Sequence, residues 1–312
     1  MKGIALGITG ASGIIGSKLC KNLLESGYVI HILTRNPDNF KKEPKVKFFK
    51  IDLLNPDKNI LADFIKSIKF LFHLASELND ESKMMKTNYH GTRILVDSIK
   101  NKSIPLIYLS SIGVFDFVKS KQINENSYKK QLNIYEKTKF LSEQYIFKSQ
   151  KKYNTKFIIL RPSIILDFKM KSKIIDYLII LTRFGIKIKF SKKTIANFVL
   201  LDDVVKIISK IFEKEKALCQ SYNISSDILL EDFLLKTSDV IKRKTYINLS
   251  FNFFFKLIDL SILFRLLKKN NDIKRFFNNT CKISCQKIES LMGEKLSSDY
   301  YNFLNNYTKN RR

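Results

Sequence analysis

The chain has 312 residues, 45% of them apolar, which is enough hydrophobic material for one large domain or two small ones. Its formal net charge is +27. The lysines are spread through nearly every segment, and no recognised nucleic-acid motif accompanies them. This describes a solvated surface that draws in anionic ligands and argues against a nucleic-acid partner. Cys20, Cys219, Cys281 and Cys285 are too few and too scattered for a disulfide framework, and the three histidines complete no metal site around Cys281 and Cys285, so no metal is expected. No uncharged apolar run approaches the roughly 18 residues of a membrane span, and three closely spaced glycines break the apolar stretch after Met1-Lys2, so a cytoplasmic protein is expected.

Four of the ten glycines fall in the first elements, in Gly7-Ile8-Thr9-Gly10-Ala11-Ser12-Gly13-Ile14-Ile15-Gly16. An apolar strand candidate, 4–9, leads in, and a helix candidate over 14–26 leads out. A strand that turns into a helix in this way aims backbone N–H groups and the positive helix end at an anion. Gly10 supplies dihedrals closed to other residues, Gly13 leaves room for a phosphate to approach, and Gly16 lets the helix pack closely. Further strands are predicted at 29–33, 46–51, 70–74, 106–109 and 157–160, with helices at 60–67, 84–101 and 132–153 between them. This alternation predicts an α/β fold with a doubly wound parallel sheet.

The second half loses that rhythm. Residues 172–193 read as a helix with a strand-like tail at 186–190. Residues 198–201, a helix at 202–214 and a strand at 221–224 return to the sheet. From 228 onward the pattern is mostly amphipathic helix, including the Phe-rich 251–268, which suits a packed helix or a peripheral membrane contact. The expected division is a Rossmann domain over 1–165, completed by about 195–226. A smaller, discontinuous, mostly helical substrate-binding part is expected over 166–194 and 227–312.

The Thr-Gly-x-x-Gly-x-x-Gly spacing resembles that of the extended short-chain dehydrogenase/reductase superfamily, the NAD-dependent epimerase/dehydratase family. Further matches follow in order: Asp52-Leu53, His73-Leu74-Ala75-Ser76, Asn88-Tyr89-His90-Gly91-Thr92, Leu109-Ser110-Ser111, the Tyr-x-x-x-Lys of Tyr135 and Lys139, Arg161-Pro162, and Tyr222-Asn223-Ile224. The resemblance implies a Rossmann-type nucleotide-binding fold, an enzyme and an NAD or NADP cofactor. It places the cofactor on Gly10, Gly13, Ile14, Ile15, Gly16, Arg35, Asp52, Leu53, Leu74, Ala75, Asn88, Tyr135, Lys139 and Pro162. The family's acidic residue after the second strand is here Thr34, followed by Arg35. A guanidinium placed to pair with a 2′-phosphate favours NADP over NAD.

Tyr135 and Lys139 lie four apart and share a helical face, so the ammonium is expected to pull the phenol's pKa down toward neutrality, with Ser111 binding the reacting oxygen. Where the family's 4,6-dehydratases carry an Asp-Glu pair, this chain has Ile112 and Gly113, which argues against that branch. A nucleotide-sugar epimerase or reductase is the first expectation, acting on a small-molecule substrate. A carbonyl reductase of the dihydroflavonol reductase or hydroxysteroid dehydrogenase type is the second, and a non-catalytic NADP-sensing protein the third. Against the first, the Arg that clamps the diphosphate in such epimerases is here Ala196, and Leu200 stands where a His is common, with Arg183, Lys192 and Lys193 as the available substitutes. The resemblance also implies a homodimer through the helices near 84–101 and 132–153.

Overall fold

The computed structural model describes residues 3–40, 43–118, 120–170, 172–190, 192–250 and 271–310, together with Phe253 and Lys256. Seven strands form the central sheet: β1 (Ala5–Thr9), β2 (Val29–Thr34), β3 (Val46–Lys50), β4 (Phe70–His73), β5 (Leu106–Leu109), β6 (Phe157–Pro162) and β7 (Gln220–Ile224). Their spatial order is β7-β6-β5-β4-β1-β2-β3, and every pairing is parallel. Parallel neighbours require crossovers, and the crossover helices cover both faces. That is why β5 and the first four residues of β6 read as unbroken apolar runs, and both strands are buried throughout. The expected fold class, a Rossmann-type doubly wound sheet, is the one observed.

One face is packed by Leu19 and Leu23 of the first helix, Ile14–Glu25, and by Val204, Val205, Ile208 and Ile211 of the helix Leu201–Ile211. The other face is packed by Phe64 and Ile65, by Leu95 and Val96, and by Ile146 of the long helix Ile134–Tyr153. A third cluster gathers residues from the second half, among them Leu166, Leu178, Phe198, Phe233, Phe277, Tyr300 and Leu304. Beside it, Ile195–Leu200 pairs parallel with Ile164–Leu166 and antiparallel with Ser226–Leu229. This pairing is why the strand expected from Phe198 begins three residues earlier. The strand-like tail expected at 186–190 is the strand Ile186–Lys189, which pairs with Ile247–Ser250; that partner and the pair Gln122–Ile123 with Lys282–Ile283 were hidden in the sequence pattern.

The helix expected over 84–101 runs over 81–98. Asp80 accepts from Ser82 N (3.1 Å) at its start, and a π-helical stretch, Met85–His90, interrupts it. The Phe-rich 251–268 lies, apart from Phe253 and Lys256, outside the described residues. No helix among the described residues is long and apolar enough to cross a membrane.

The first turn is fixed by close packing. Gly10 has φ +76°, and a Cβ there would lie 2.5 Å from the backbone N of Ala75. A Cβ on Gly16 would lie 2.2 Å from the carbonyl oxygen of Gly10, whereas one on Gly13 meets nothing closer than 3.3 Å. Backbone must move in the first two cases. Gly10→Ala and Gly16→Ala are expected to lower the unfolding free energy by about 2–4 kcal/mol each, and Gly13→Ala by less than about 1 kcal/mol, as read from urea midpoints.

Candidate active site

The first helix, Ile14–Glu25, is preceded by Gly13, whose backbone is extended and which has no side chain to cap it, and no acidic residue lies in the first turn. Its leading N–H groups, on Ile14 and Ile15, therefore depend on something outside the helix. Gly13 and Ile14 are exposed there, Ile15 is half-buried, and Leu74 and Ala75 of the β4 end form the facing wall. The cradle suits a pyrophosphate. It is steadied from below by His73, whose Nδ1 lies 2.7 Å from Thr9 Oγ1 and whose Nε2 lies 2.9 Å from Thr92 Oγ1. Burial, assisted by the Lys139 charge, pushes His73 down to about 3, so this strut stays neutral. Sequence reading took His73 only as a strand end.

At the edge of the cradle, Arg35 is exposed just past β2, pairs with no carboxylate among the described residues, and shares its surroundings with the Lys83 ammonium. Asp52 is exposed and accepts from Leu54 N at 3.0 Å, and Leu53 packs beside Gly91. Asn88 is different. Its Oδ1 accepts from Glu77 N (2.6 Å), and its Nδ2 donates to Glu77 O (3.0 Å) and Thr138 Oγ1 (3.2 Å). Both amide hydrogens are spent tying the loop after β4 to the long helix, which makes Asn88 a positioning residue. Glu77 in turn accepts from the N–H groups of Leu78, Asn79 and Asp80, led by that of Asn79, which hold its carboxyl below the usual range.

Ser111, Tyr135 and Lys139 converge at the carboxyl end of β5. Ser111 caps the turn Ile112–Val114, accepting from Gly113 N at 3.1 Å, and its hydroxyl lies beside the Tyr135 phenol. Asn133 caps the long helix by accepting from Glu136 N (2.8 Å), which points Tyr135 and Lys139 at the strand ends. Lys139 is buried. Its Nζ donates to the Leu109 carbonyl at 2.8 Å and lies 5.7 Å from the Tyr135 ring centre. Pro162 closes β6, buried and registered with Ile224.

The electrostatics differ from the sequence expectation. Burial pushes Tyr135 up to about 12, opposed by the Ser111 hydroxyl, and pushes Lys139 down to about 7, opposed by Glu143. Desolvation outweighs the mutual attraction on which the expected lowering of the phenol rested. Tyr135 therefore carries its proton at neutral pH.

Three features escaped sequence reading. Glu136 Oε2 accepts from Leu132 N (2.7 Å) while its Oε1 pairs with Arg275 Nη1 (2.5 Å), bringing a guanidinium from the far end of the chain to the residue next to Tyr135. Glu136 also fills the space over Gly113, where a Cβ would lie 2.9 Å from its Cγ. Buried Arg161 forks onto buried Glu143. Apart from Leu132, none of these partners is close in sequence. Among the described residues, no group of three or more His, Cys, Asp or Glu side chains is arranged to hold a metal ion.

Residues 6–225 match the sequence model of the NAD dependent epimerase/dehydratase family. The chain belongs to that family. It is an NAD(P)-dependent enzyme of the extended short-chain dehydrogenase/reductase type. Among curated relatives, dihydroflavonol 4-reductase of Gerbera hybrida is 29% identical over 157 residues, 45% of this chain and 40% of that one. The Dianthus caryophyllus dihydroflavonol 4-reductase is 29% identical over 250 residues, 67% and 66% of the two chains. These matches span less than two thirds of the relatives' lengths. Among solved structures, UDP-glucuronic acid 4-epimerase from Bacillus cereus in complex with NAD superposes over 99% of each chain with a TM-score of 0.76 at 18% identity, which shows a shared fold.

The buried lysine gives this family member a stability signature. Its folded value of about 7 lies below the ordinary 10.5. Between those limits the unfolded chain binds more protons, so stability rises with pH across that window. Lys139→Met is expected to flatten the rise, and a variant retaining the wild-type slope in denaturation midpoint from pH 7 to 10 would trace it to other groups.

Proposed function

We propose that this enzyme moves a hydride at a carbinol carbon of a nucleotide-sugar, as an epimerase or reductase. The convergence of Ser111, Tyr135 and Lys139 above the glycine cradle carries this reading. The cradle residues Gly10, Gly13, Ile14, Ile15 and Gly16 hold the pyrophosphate, with Leu74 and Ala75 opposite; Asp52 and Leu53 border the adenine, and Pro162 closes the nicotinamide end. When bound, the nicotinamide supplies and accepts the hydride. Lys139, fixed by Leu109, donates to the nicotinamide ribose. Ser111 hydrogen-bonds the substrate oxygen, and the Tyr135 hydroxyl gives its proton to that oxygen as a ketone is reduced and takes it back in the opposite direction.

Arg275 supports the nucleotide-sugar reading. Arg183, Lys192 and Lys193 are all exposed, whereas Arg275 is brought to the head of the catalytic helix with its guanidinium 5.1 Å from the Phe117 ring centre. A cation held there compensates for Ala196 and Leu200 in binding a diphosphate. The segments 166–194 and 227–312, built around the third core cluster, form the substrate-binding part in this reading.

A second reading, a reductase of apolar ketones, is favoured by the aromatic side chains Tyr177, Phe190, Phe198 and Phe277 of that same cluster. NADP is the preferred cofactor in both readings, because Arg35 and Lys83 are placed for a 2′-phosphate. A homodimer is part of the proposal. Arg93, lying 5.7 and 5.1 Å from the Tyr89 and Tyr145 ring centres, marks the helix pair that would form its interface.

Thermal-shift titration with UDP- and dTDP-sugars is expected to stabilise the protein, by about 2.7 kcal/mol at a hundredfold excess over Kd. Stabilisation by aromatic ketones alone would select the reductase reading. Tyr135→Phe is expected to lower turnover by roughly 10²–10⁴-fold while the cofactor still binds, and an active variant would remove the assignment. Fluorescence titration should give tighter NADPH than NADH binding, and Arg35→Ala should narrow that gap.

A further inference from the structure

Three consecutive residues at the end of β5 each meet one residue of the catalytic helix, one helical turn apart. The Leu109 carbonyl accepts from Lys139 Nζ at 2.8 Å, Ser110 Oγ donates to Glu143 Oε1 at 2.7 Å, and Ser111 lies beside Tyr135. Positions 135, 139 and 143 are spaced by four and share a face. Glu143 is the lowest of the three and the most tightly held. Arg161 of β6 forks onto it, Nε to Oε1 at 2.8 Å and Nη2 to Oε2 at 2.9 Å, with both side chains almost wholly buried. The same guanidinium lies 5.0 Å from the Phe115 ring centre and reaches the Glu125 carbonyl at 3.4 Å.

We infer that Glu143 is a positioning residue for the reaction: with Ser110 and Arg161 it locks the catalytic helix against the strand end that carries Ser111, and it places a carboxylate one helical turn from the Lys139 ammonium. This rests on the proposed role of Lys139 at the nicotinamide ribose. A fork buried among apolar side chains stabilises little by itself, because desolvation offsets most of the attraction. Its charge acts instead on its neighbours, at low dielectric. The groups facing Lys139 are Tyr135 and Glu143 on its own helix, neutral His73 on β4, and Tyr108 on β5, whose ring centre is 5.1 Å from Nζ. Those facing Glu143 are Arg161 on β6, Tyr108 on β5, and Lys129, which crosses the Phe115 ring at 5.5 Å. Glu143 is the acidic group acting on Lys139, raising a value that burial lowers.

The test is the pH dependence of NADPH affinity, read by cofactor fluorescence from pH 5 to 9. Protonated Lys139 binds the ribose, so affinity falls as pH rises through the Lys139 midpoint. Glu143→Gln is expected to move that midpoint down by about one unit, weakening NADPH binding at pH 7 by roughly fivefold to tenfold. Because Glu143→Gln leaves Arg161 buried and less compensated, the Glu143→Met/Arg161→Met double variant, which replaces the pair by apolar side chains, provides a folded comparison and should shift the midpoint the same way. Ser110→Ala, which keeps the ion pair, should shift it by a smaller amount. A double variant that folds and keeps the wild-type midpoint overturns the inference; if the double variant does not fold, an unshifted Ser110→Ala does so. Lys139→Met separates this result from the parent reading. If it retains the wild-type pH dependence, Lys139 is not at the cofactor. If it abolishes that dependence while the Glu143 variants leave it unchanged, only the role of Glu143 fails.

Discussion

A lysine ammonium taken out of water needs acceptors that do not move, and Lys139 is where that requirement organises this protein. Its nitrogen ends on a backbone carbonyl of β5 at 2.8 Å, deep enough that its proton is held only weakly near neutral pH. To satisfy it, the long helix must lie directly over the strand end. Once it does, Tyr135 and Ser111 have no freedom to be elsewhere. The same burial keeps the Tyr135 phenol protonated. Spacing along a helix identified the pair, but the balance between desolvation and attraction set its protonation state, and that balance exists only once the surrounding fold has closed.

The glycine cradle rests on a comparable constraint in backbone. Gly10 approaches the β4 end so closely that no side chain fits, and Gly16 approaches Gly10 closer still. These contacts lift the helix start to the level of the sheet's carboxyl edge, where its unpartnered N–H groups face outward. His73 and Thr9 brace the same junction from inside. Cradle and long helix are thus two separate braces on neighbouring strands, and Asn88 joins them through Thr138 and the Glu77 backbone.

Much of the first half could be read from the residues. β5 was expected over the residues it occupies, and the other sheet strands differ from expectation by one or two residues at their ends, because apolar runs bounded by turn residues and helical periodicity are local properties. The second half was harder. The strand Ile195–Leu200 gains its first residues from an antiparallel partner some thirty positions later, and Lys282–Ile283 is a strand only because Gln122–Ile123 lies beside it. Two-residue strands have no periodicity to detect.

The sequence by itself determined the order of the central-sheet strands and their helices and the glycine turn, and offered Ser111, Tyr135 and Lys139 as candidates, since each rests on a short local motif. Tertiary structure alone decided that Arg275 meets Glu136, that Arg161 meets Glu143, and that Asn88 spends its amide on the scaffold. Partners separated by eleven to 139 positions leave no local signature, and charge against burial can be weighed only where the chain has already excluded water.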